Sequence, residues 1–517
     1  MINHVALLPA YCAAGTAVLA LLVDLAVPGR RVPVLAVSML GAAGTGVAAW
    51  WAWAHGGAGQ ATFCVGDAVR QCSYQWDGTS MLVAILFAAA TLAVLGFSVP
   101  TLRSGATPAG EFCFLLASSM TGGVVLGATR DLITLVIALE TLTLPLYVLV
   151  GLRRRSVASA EASVTFFVVS VVSSAVTLLG AALLYGATGS VHFAGLADVL
   201  TERAELRSVP LVGAAVVLVL VGLAFKVAAV PFHAWAPATY DGAPLPVAAY
   251  LSTASKLGGV IALVLVAVGP LRPWLDVAGP ALAALAVATM TVGNLVALRQ
   301  RRMVRLLAWS SVAQAGYILA PMGAFALASG RSAEAVTIAV TAVLAYTIFY
   351  IVMELGAFGA VVALRGAGDG GELDDYRGAA RRRPAVAIAF GLAMAGLAGL
   401  PPGLAGLFAK VAVVRALLDS GAGWLAVVVA VNAVVGLAYY VRAASVLFQP
   451  AVGVGVAGHP AAMAAAGGET TADLGPVGGP AAWPRLPVAV AVSLAAVTLA
   501  AVVIGVFPQL VFATLAL

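Results

Sequence analysis

Apolar residues run along this chain in long blocks separated by short polar stretches. Fourteen blocks reach membrane-spanning length, at roughly 5–26, 33–54, 79–99, 111–128, 132–151, 162–186, 209–230, 246–268, 277–298, 304–323, 335–364, 385–418, 423–447 and 486–507. A segment of that length with so few charges reads as a spanning helix, so the predicted fold class is an all-α polytopic membrane protein of about 14 transmembrane helices. Two blocks are interrupted. The seventh runs into VPFHAWAPATYDGAP (230–244), and the twelfth is too long for one plain crossing and contains Gly399-Leu400-Pro401-Pro402-Gly403. Proline removes backbone donors, so both are predicted to be discontinuous helices.

The spans suggest a repeat. Helices four to eight (111–268) and nine to thirteen (277–447) form two sets of five, which must run in opposite senses, and each set has a disrupted helix carrying a lysine. Inverted repeats with broken helices near the bilayer midplane are an ion-transporter architecture. Three helices precede them (1–110); a Gly/Ala/Pro-rich loop (448–484) and a last helix (485–517) follow.

Arginine sets the expected orientation. One series of alternate loops carries Arg30-Arg31, Arg103, Arg153-Arg154-Arg155, Arg299 with Arg301-Arg302, and Arg365 through Arg383. The opposite series carries isolated residues such as Arg70, Arg130, Arg272 and Arg331, with Arg203 and Arg207. The positive-inside rule places the first series in the cytoplasm and both termini outside a bacterial inner membrane. Cys64 and Cys72 then share an outer loop, where a disulfide or two free thiols are both open. Cys12 and Cys113 lie in apolar blocks as packing residues.

Composition agrees with a membrane protein. The 517 residues are 62% hydrophobic and 9% charged, with mean hydropathy +1.06. The pI near 9.3 does not signal nucleic-acid binding, because the arginines are spread loop by loop. There is no CxxC pair or Cys/His cluster, so no zinc or iron–sulfur site is expected. Gly453 to Gly458 fits GxGxxG literally but lacks βαβ context and reads as a low-complexity linker, so no dinucleotide site is expected. The first apolar block lacks a basic leader, so no cleavable signal is expected.

Of 27 basic residues only three are lysine, Lys226, Lys256 and Lys410, and all three fall inside apolar blocks. A lysine at mid-membrane costs about 3 kcal/mol or more. Unlike arginine, a desolvated lysine can release its proton. These three are read as proton-handling groups rather than leftover structural cations. Glu140, near the middle of its span, is the carboxylate that would pair with Lys226; a static ion pair fixing helix register is the alternative. Lys256 is the next station. His233, in the first break, could pass protons between the surface and the lysines, or be a loop histidine bonded to backbone. Glu354 is a second mid-membrane carboxylate, a possible relay or a structural partner of an arginine. Asp24, Asp77, Asp131 and Glu161 fall near helix ends and read as caps or interfacial charges. Ser170 to Thr177 and Ser310-Ser311 could hold waters or allow close packing.

Taken together, ALETLTLPLYVLVG (138–151), GLAFKVAAVPFHAWAPATYDGAP with YLSTASK (222–256), GNLVALRQRRMVRLLAWSSVAQAGY (293–317) and DDYRGAARRRPAVAIAFGLAMAGLAGLPPGLAGLFAK (374–410) resemble the antiporter-like membrane subunits of respiratory complex I, most closely the subunit N branch. The resemblance runs from about 120 to 445. It implies a proton-translocating subunit of NADH:quinone oxidoreductase with no redox centre of its own. NADH, FMN, iron–sulfur clusters and quinone would reside in partner subunits, and the neighbours would be other antiporter-like and small membrane subunits within the lipid bilayer. It further implies that Glu140 and Lys226 form an input-side pair, that Lys256 is a central lysine and that Lys410 is an output-side lysine.

Departures from the family pattern fall beside these residues. Thr165 stands where relatives often carry lysine, Ala238 where aspartate is common, Val304 where a basic residue is usual, Gln314 where many have histidine and Glu354 where asparagine is usual. Three other readings are a subunit of a multi-subunit sodium/proton antiporter or membrane-bound hydrogenase, a non-pumping scaffold of the membrane arm, and a stand-alone enzyme. The GAPLPV and STASK segments disfavour the first. The retained charges disfavour the second, and the lack of a nucleophile–base or metal constellation disfavours the third.

Overall fold

The structure, a computed structural model, describes residues 2–56, 59–65, 71–105, 107–153, 156–450 and 486–515. Arg70, Arg154, Arg155 and the glycine pattern at 453–458 lie outside the described residues. The chain is mostly helical. Eleven helices among the described residues are long and apolar enough to cross a membrane, and two shorter apolar helices, Pro210–Lys226 and Pro384–Ala398, end at the two predicted breaks.

Each break has its own backbone logic. The first half-helix stops at Lys226, Ala228 takes a left-handed φ of 58°, and a short helix resumes over Trp235–Gly242. The donors freed here are reused: the Ala229 N–H reaches the Ala224 carbonyl at 3.0 Å, and the Val230 N–H reaches Thr289 Oγ1 at 2.9 Å. Both satisfy groups that would be costly if left bare in a membrane. The second half-helix stops at Gly399 (φ 82°), passes Pro401-Pro402, and resumes as Leu404–Asp419. Glycine is required where these halves meet: a Cβ on Gly406 would sit 1.6 Å from the Gly396 carbonyl oxygen.

Lys256 follows a third irregularity. The helix Leu245–Val268 contains a π-helical turn at Leu251–Ser255, and the Tyr350 hydroxyl donates to the Ser252 carbonyl at 2.8 Å. Such turns shift the register of the following side chains by one position and recur at functional sites. The long helix Ala333–Arg365, which carries Glu354, packs against Leu245–Val268, Pro384–Ala398 and Leu404–Asp419, so it touches the Lys256 and Lys410 regions alike.

At the arginine-rich end, Arg302 Nε bonds both oxygens of Asp241 at 3.0 Å and ties Trp235–Gly242 to the helix Met303–Gly323. Arg365 lies 3.6 Å from Asp369 and 3.5 Å from Asp375. Burial pushes the Asp369 carboxyl up, but the Arg302 hydrogen bond and charge, the Gly371 N–H and Arg365 outweigh it and hold the group below its usual range. At the opposite end, β1 (Gln60–Cys64) pairs antiparallel with β2 (Cys72–Trp76), and Cys64 and Cys72 face each other in a disulfide. Asp77 and Asp131 cap helices, accepting from the Ser80 and Thr134 N–H groups at 2.8 and 2.6 Å, as their positions in the sequence suggest.

Candidate functional site

Lys226 is the last residue of its half-helix, so the unpaired carbonyl end of that helix favours its positive charge. Three polar groups converge on its ammonium: Glu140 Oε1 at 3.0 Å, Ser170 Oγ at 3.0 Å and Thr143 Oγ1 at 3.4 Å. Ser174 donates to the same Glu140 oxygen, and the Tyr147 hydroxyl donates to Ser170 at 2.5 Å. Lys226 is 4% exposed and Glu140 23%. At an effective dielectric of about 20, their attraction is roughly 5 kcal/mol, against a desolvation penalty of several kcal/mol for each ion. The two contributions oppose each other.

Lys256, also buried, donates to the Ser311 carbonyl and to Ser311 Oγ, the latter at 2.8 Å. Glu354 is fully buried within electrostatic reach of this lysine, and neither carboxylate oxygen finds a hydrogen-bond partner among the described residues. The charged side chain within electrostatic reach of Glu354 is that of Lys256.

Lys410 lies two turns into the second half of its broken helix and reaches back across the break. Its ammonium donates to the Ala398 carbonyl at 2.5 Å and the Leu397 carbonyl at 3.1 Å, over the Tyr317 ring at 5.4 Å. Lys226 occupies the carbonyl end of its own half-helix, whereas Lys410 caps the carbonyl end of another. Gly399 makes this possible: its left-handed backbone ends the first half-helix, and a Cβ there would press on Lys410 Cδ at 2.9 Å.

Between Lys256 and Lys410 lies a hydrogen-bonded chain. Gln314 Nε2 donates to the Leu397 carbonyl at 3.0 Å and to the Tyr440 hydroxyl at 2.8 Å, and Gln314 Oε1 accepts from Tyr346 at 2.6 Å. Ser310 shares a 2.6 Å bond with Tyr440, beside the Ser311 that holds Lys256. Gln314 cannot itself take up a proton under ordinary conditions.

The structure therefore brings Glu140 to Lys226, Lys256 towards Glu354, and Lys410 to the second break. His233 is different. It sits half-buried within the first break, its ring 5.2 Å from Trp309 at 59°, and none of its described contacts is to a lysine. Thr165 and Ala238, two of the departures, line one cavity of about 760 Å³ at the arginine-rich end, with Glu161, Asp241, Arg302 and Arg305. Of the two readings for Glu161, cap or interfacial charge, its place in this cavity fits the second, and Ser156 is the helix cap. Sequence reasoning missed Tyr147, Tyr240, Tyr346 and Tyr440; their signal was a tyrosine inside an apolar block, uncommon enough to flag.

The chain is similar to known proteins over most of its length. A family described as NADH:quinone oxidoreductase/Mrp antiporter, transmembrane, matches residues 129–436. The chain is 65% identical over 455 residues to NADH-quinone oxidoreductase subunit N of Salinispora tropica, covering 87% of each chain. It is 44% identical to subunit N 2 of Streptomyces griseus, covering 87% of this chain and 83% of the relative. Among solved structures, a chain of respiratory complex I from Thermus thermophilus superposes with TM-score 0.74 and 29% identity, over 98% of this chain and 99% of that one. A chain of the Mrp complex from Dietzia sp. superposes at 0.79 with 23% identity, over 99% and 96%, and shares the fold. This chain belongs to the NADH:quinone oxidoreductase/Mrp antiporter membrane family, on the branch of NADH-quinone oxidoreductase subunit N.

Proposed function

We propose that this chain translocates protons as a membrane subunit of an NADH:quinone oxidoreductase, through a relay of Glu140, Lys226, Lys256, Glu354 and Lys410. The observation that carries the reading is the Glu140–Lys226 pair, 3.0 Å apart at the carbonyl end of a broken helix. Two opposed charges in that setting set attraction against desolvation. In the proposed cycle, separating the pair lets Lys226 pass its proton towards Lys256, and Lys410 delivers it at the far side. The chain carries no redox centre. NADH, FMN, iron–sulfur clusters and quinone belong to other subunits, and quinone reduction there drives the cycle.

The finer architecture follows the same reading. Fourteen crossings, arranged as three helices, two inverted sets of five and a last helix, put the two broken helices in equivalent places. The arginine-rich end faces the cytoplasm and both termini lie outside. His233 remains a surface-side relay in this scheme only if the break rearranges to bring it to a lysine. The decisive experiment is Lys226→Ala in the assembled, reconstituted complex, with proton uptake read against quinone reduction. Loss of both supports an obligate station. Wild-type reduction with full proton stoichiometry makes the lysine structural and ends the proposal.

A further inference from the structure

From the floor of the cavity at the arginine-rich end, two ways lead inward, and they differ in chemistry. The way to Lys226 follows the helix Val157–Thr188 from Ala162 and Thr165 to Phe166. The Phe166 ring stacks on Trp235 at 4.5 Å and 19° and meets Tyr147 edge-on at 4.9 Å, and Trp235 packs on Phe225 at 5.3 Å. Ser170, a polar partner of Lys226, lies one turn beyond. Phe166 and Trp235 are each 1% exposed, so this layer is closed and its ring faces give a proton nothing to bind.

The other way follows the helix Trp235–Gly242. Ala238, Asp241 and Gly242 line the cavity, and the residues between them, Thr239 and Tyr240, are fully buried. Neither hydroxyl has a hydrogen-bond partner among the described residues. Tyr240 lies within reach of Ser311 and within electrostatic reach of Glu354, and its ring lies 6.4 Å from Phe358, one turn from Glu354. Beyond it are the two equally unpartnered oxygens of Glu354. Buried polar groups are nearly always hydrogen-bonded. Three of them, two on the helix whose Ala238, Asp241 and Gly242 line the cavity and the third the Glu354 carboxylate, have the composition of a hydrated path.

We propose that protons enter from this cavity along Thr239 and Tyr240, with intervening water, to the Glu354–Lys256 pair, and that the Phe166–Trp235 stack closes the same cavity off from Lys226. Each hydroxyl takes a proton on its oxygen and releases the one it carried, so both residues end unchanged and the net event is protonation of Glu354. The inference rests on the relay reading for Glu354 and Lys256, and it adds a direct entry to them beside the proton that Lys226 passes on.

The test is thiol accessibility in the purified complex, in a background where Cys12 and Cys113 are replaced, with a small positively charged methanethiosulfonate as probe. Ala238→Cys, Thr239→Cys and Tyr240→Cys are expected to react. Ser170→Cys is expected to stay unreactive until Phe166→Ala is added. Reaction at Ser170→Cys with Phe166 intact, or none at either Thr239→Cys or Tyr240→Cys while Ala238→Cys reacts, overturns the route. A functional arm uses Tyr240→Phe, which keeps the ring and removes the hydroxyl: it is expected to lower the proton-to-electron ratio in an assembled complex, and an unchanged ratio counts against the path. Failure of the relay reading shows separately, as full pumping in Glu354→Gln.

Discussion

Gln314 and Lys410 donate to one acceptor, the carbonyl oxygen of Leu397, at 3.0 and 3.1 Å. That oxygen is the last shared point between the chain of hydroxyls beside Lys256 and the lysine at the second break. Gln314 therefore acts as a fixed bridge: it orders donors and acceptors without a charge of its own.

Replacing the bridge with Gln314→Leu strands the Tyr346 hydroxyl and leaves Tyr440 with fewer partners. An unsatisfied buried group costs about 1–3 kcal/mol. The assembled complex is expected to melt earlier and to pump fewer protons per electron, whereas Gln314→His keeps a donor and an acceptor and should pump. Normal stoichiometry in Gln314→Leu would leave the residue with a packing role alone.

Gly399→Ala combines a left-handed backbone, which costs an L-residue about 1–2 kcal/mol, with pressure on the Lys410 side chain. It is expected to assemble and to lose activity, and Lys410→Met is expected to do the same. Gly406→Ala, with its Cβ driven into the Gly396 carbonyl, is expected not to accumulate in the membrane at all. Immunoblots of membranes and activity per assembled complex separate the two cases.

Glu140→Gln retains hydrogen-bonding capacity towards Ser174 and Lys226 but removes the counter-charge. Breaking one side of a buried pair costs about 3–5 kcal/mol if the other charge persists, so Lys226 should shed its proton and idle. Proton uptake by proteoliposomes is expected to collapse while assembly persists. Ser170→Ala, which removes a single hydrogen bond from the ammonium, should cost less. If both variants pump normally, the pair fixes helix register and nothing more.

The Cys64–Cys72 pair serves as a marker of sidedness. In intact cells, a membrane-impermeant maleimide is expected to label these positions only after reduction. Labelling that requires permeabilised cells would reverse the proposed orientation and put the arginine-rich cavity outside.

Much of this site was legible because its signals are local. Three lysines in apolar blocks, two proline-rich interruptions and a carboxylate in a spanning helix each announce themselves within one segment. What was not legible depends on which distant segments meet. Glu354 faces Lys256 and Ser310 meets Tyr440 only because Ala333–Arg365 and Gly423–Val446 pack beside helices far earlier in the chain. The β1–β2 hairpin escaped because its strands are five residues each and lie in a stretch read as a loop. His233 shows the converse: its chemistry suits a relay, but its packing on Trp309 leaves it away from the lysines.

Lys410 donates its hydrogen bonds to main-chain carbonyls, and a peptide carbonyl is present whatever the codon says. Point mutation can erase the side chain of Gln314, but it cannot erase the oxygen of Leu397 or Ala398. The setting of Lys410 is therefore buffered against neutral drift in its neighbours, whereas that of Lys226, built from side chains, is not. The burden of inheritance falls instead on residues with no proton chemistry of their own, such as Gly399 and Gly406, whose only contribution is to let two pieces of backbone come close.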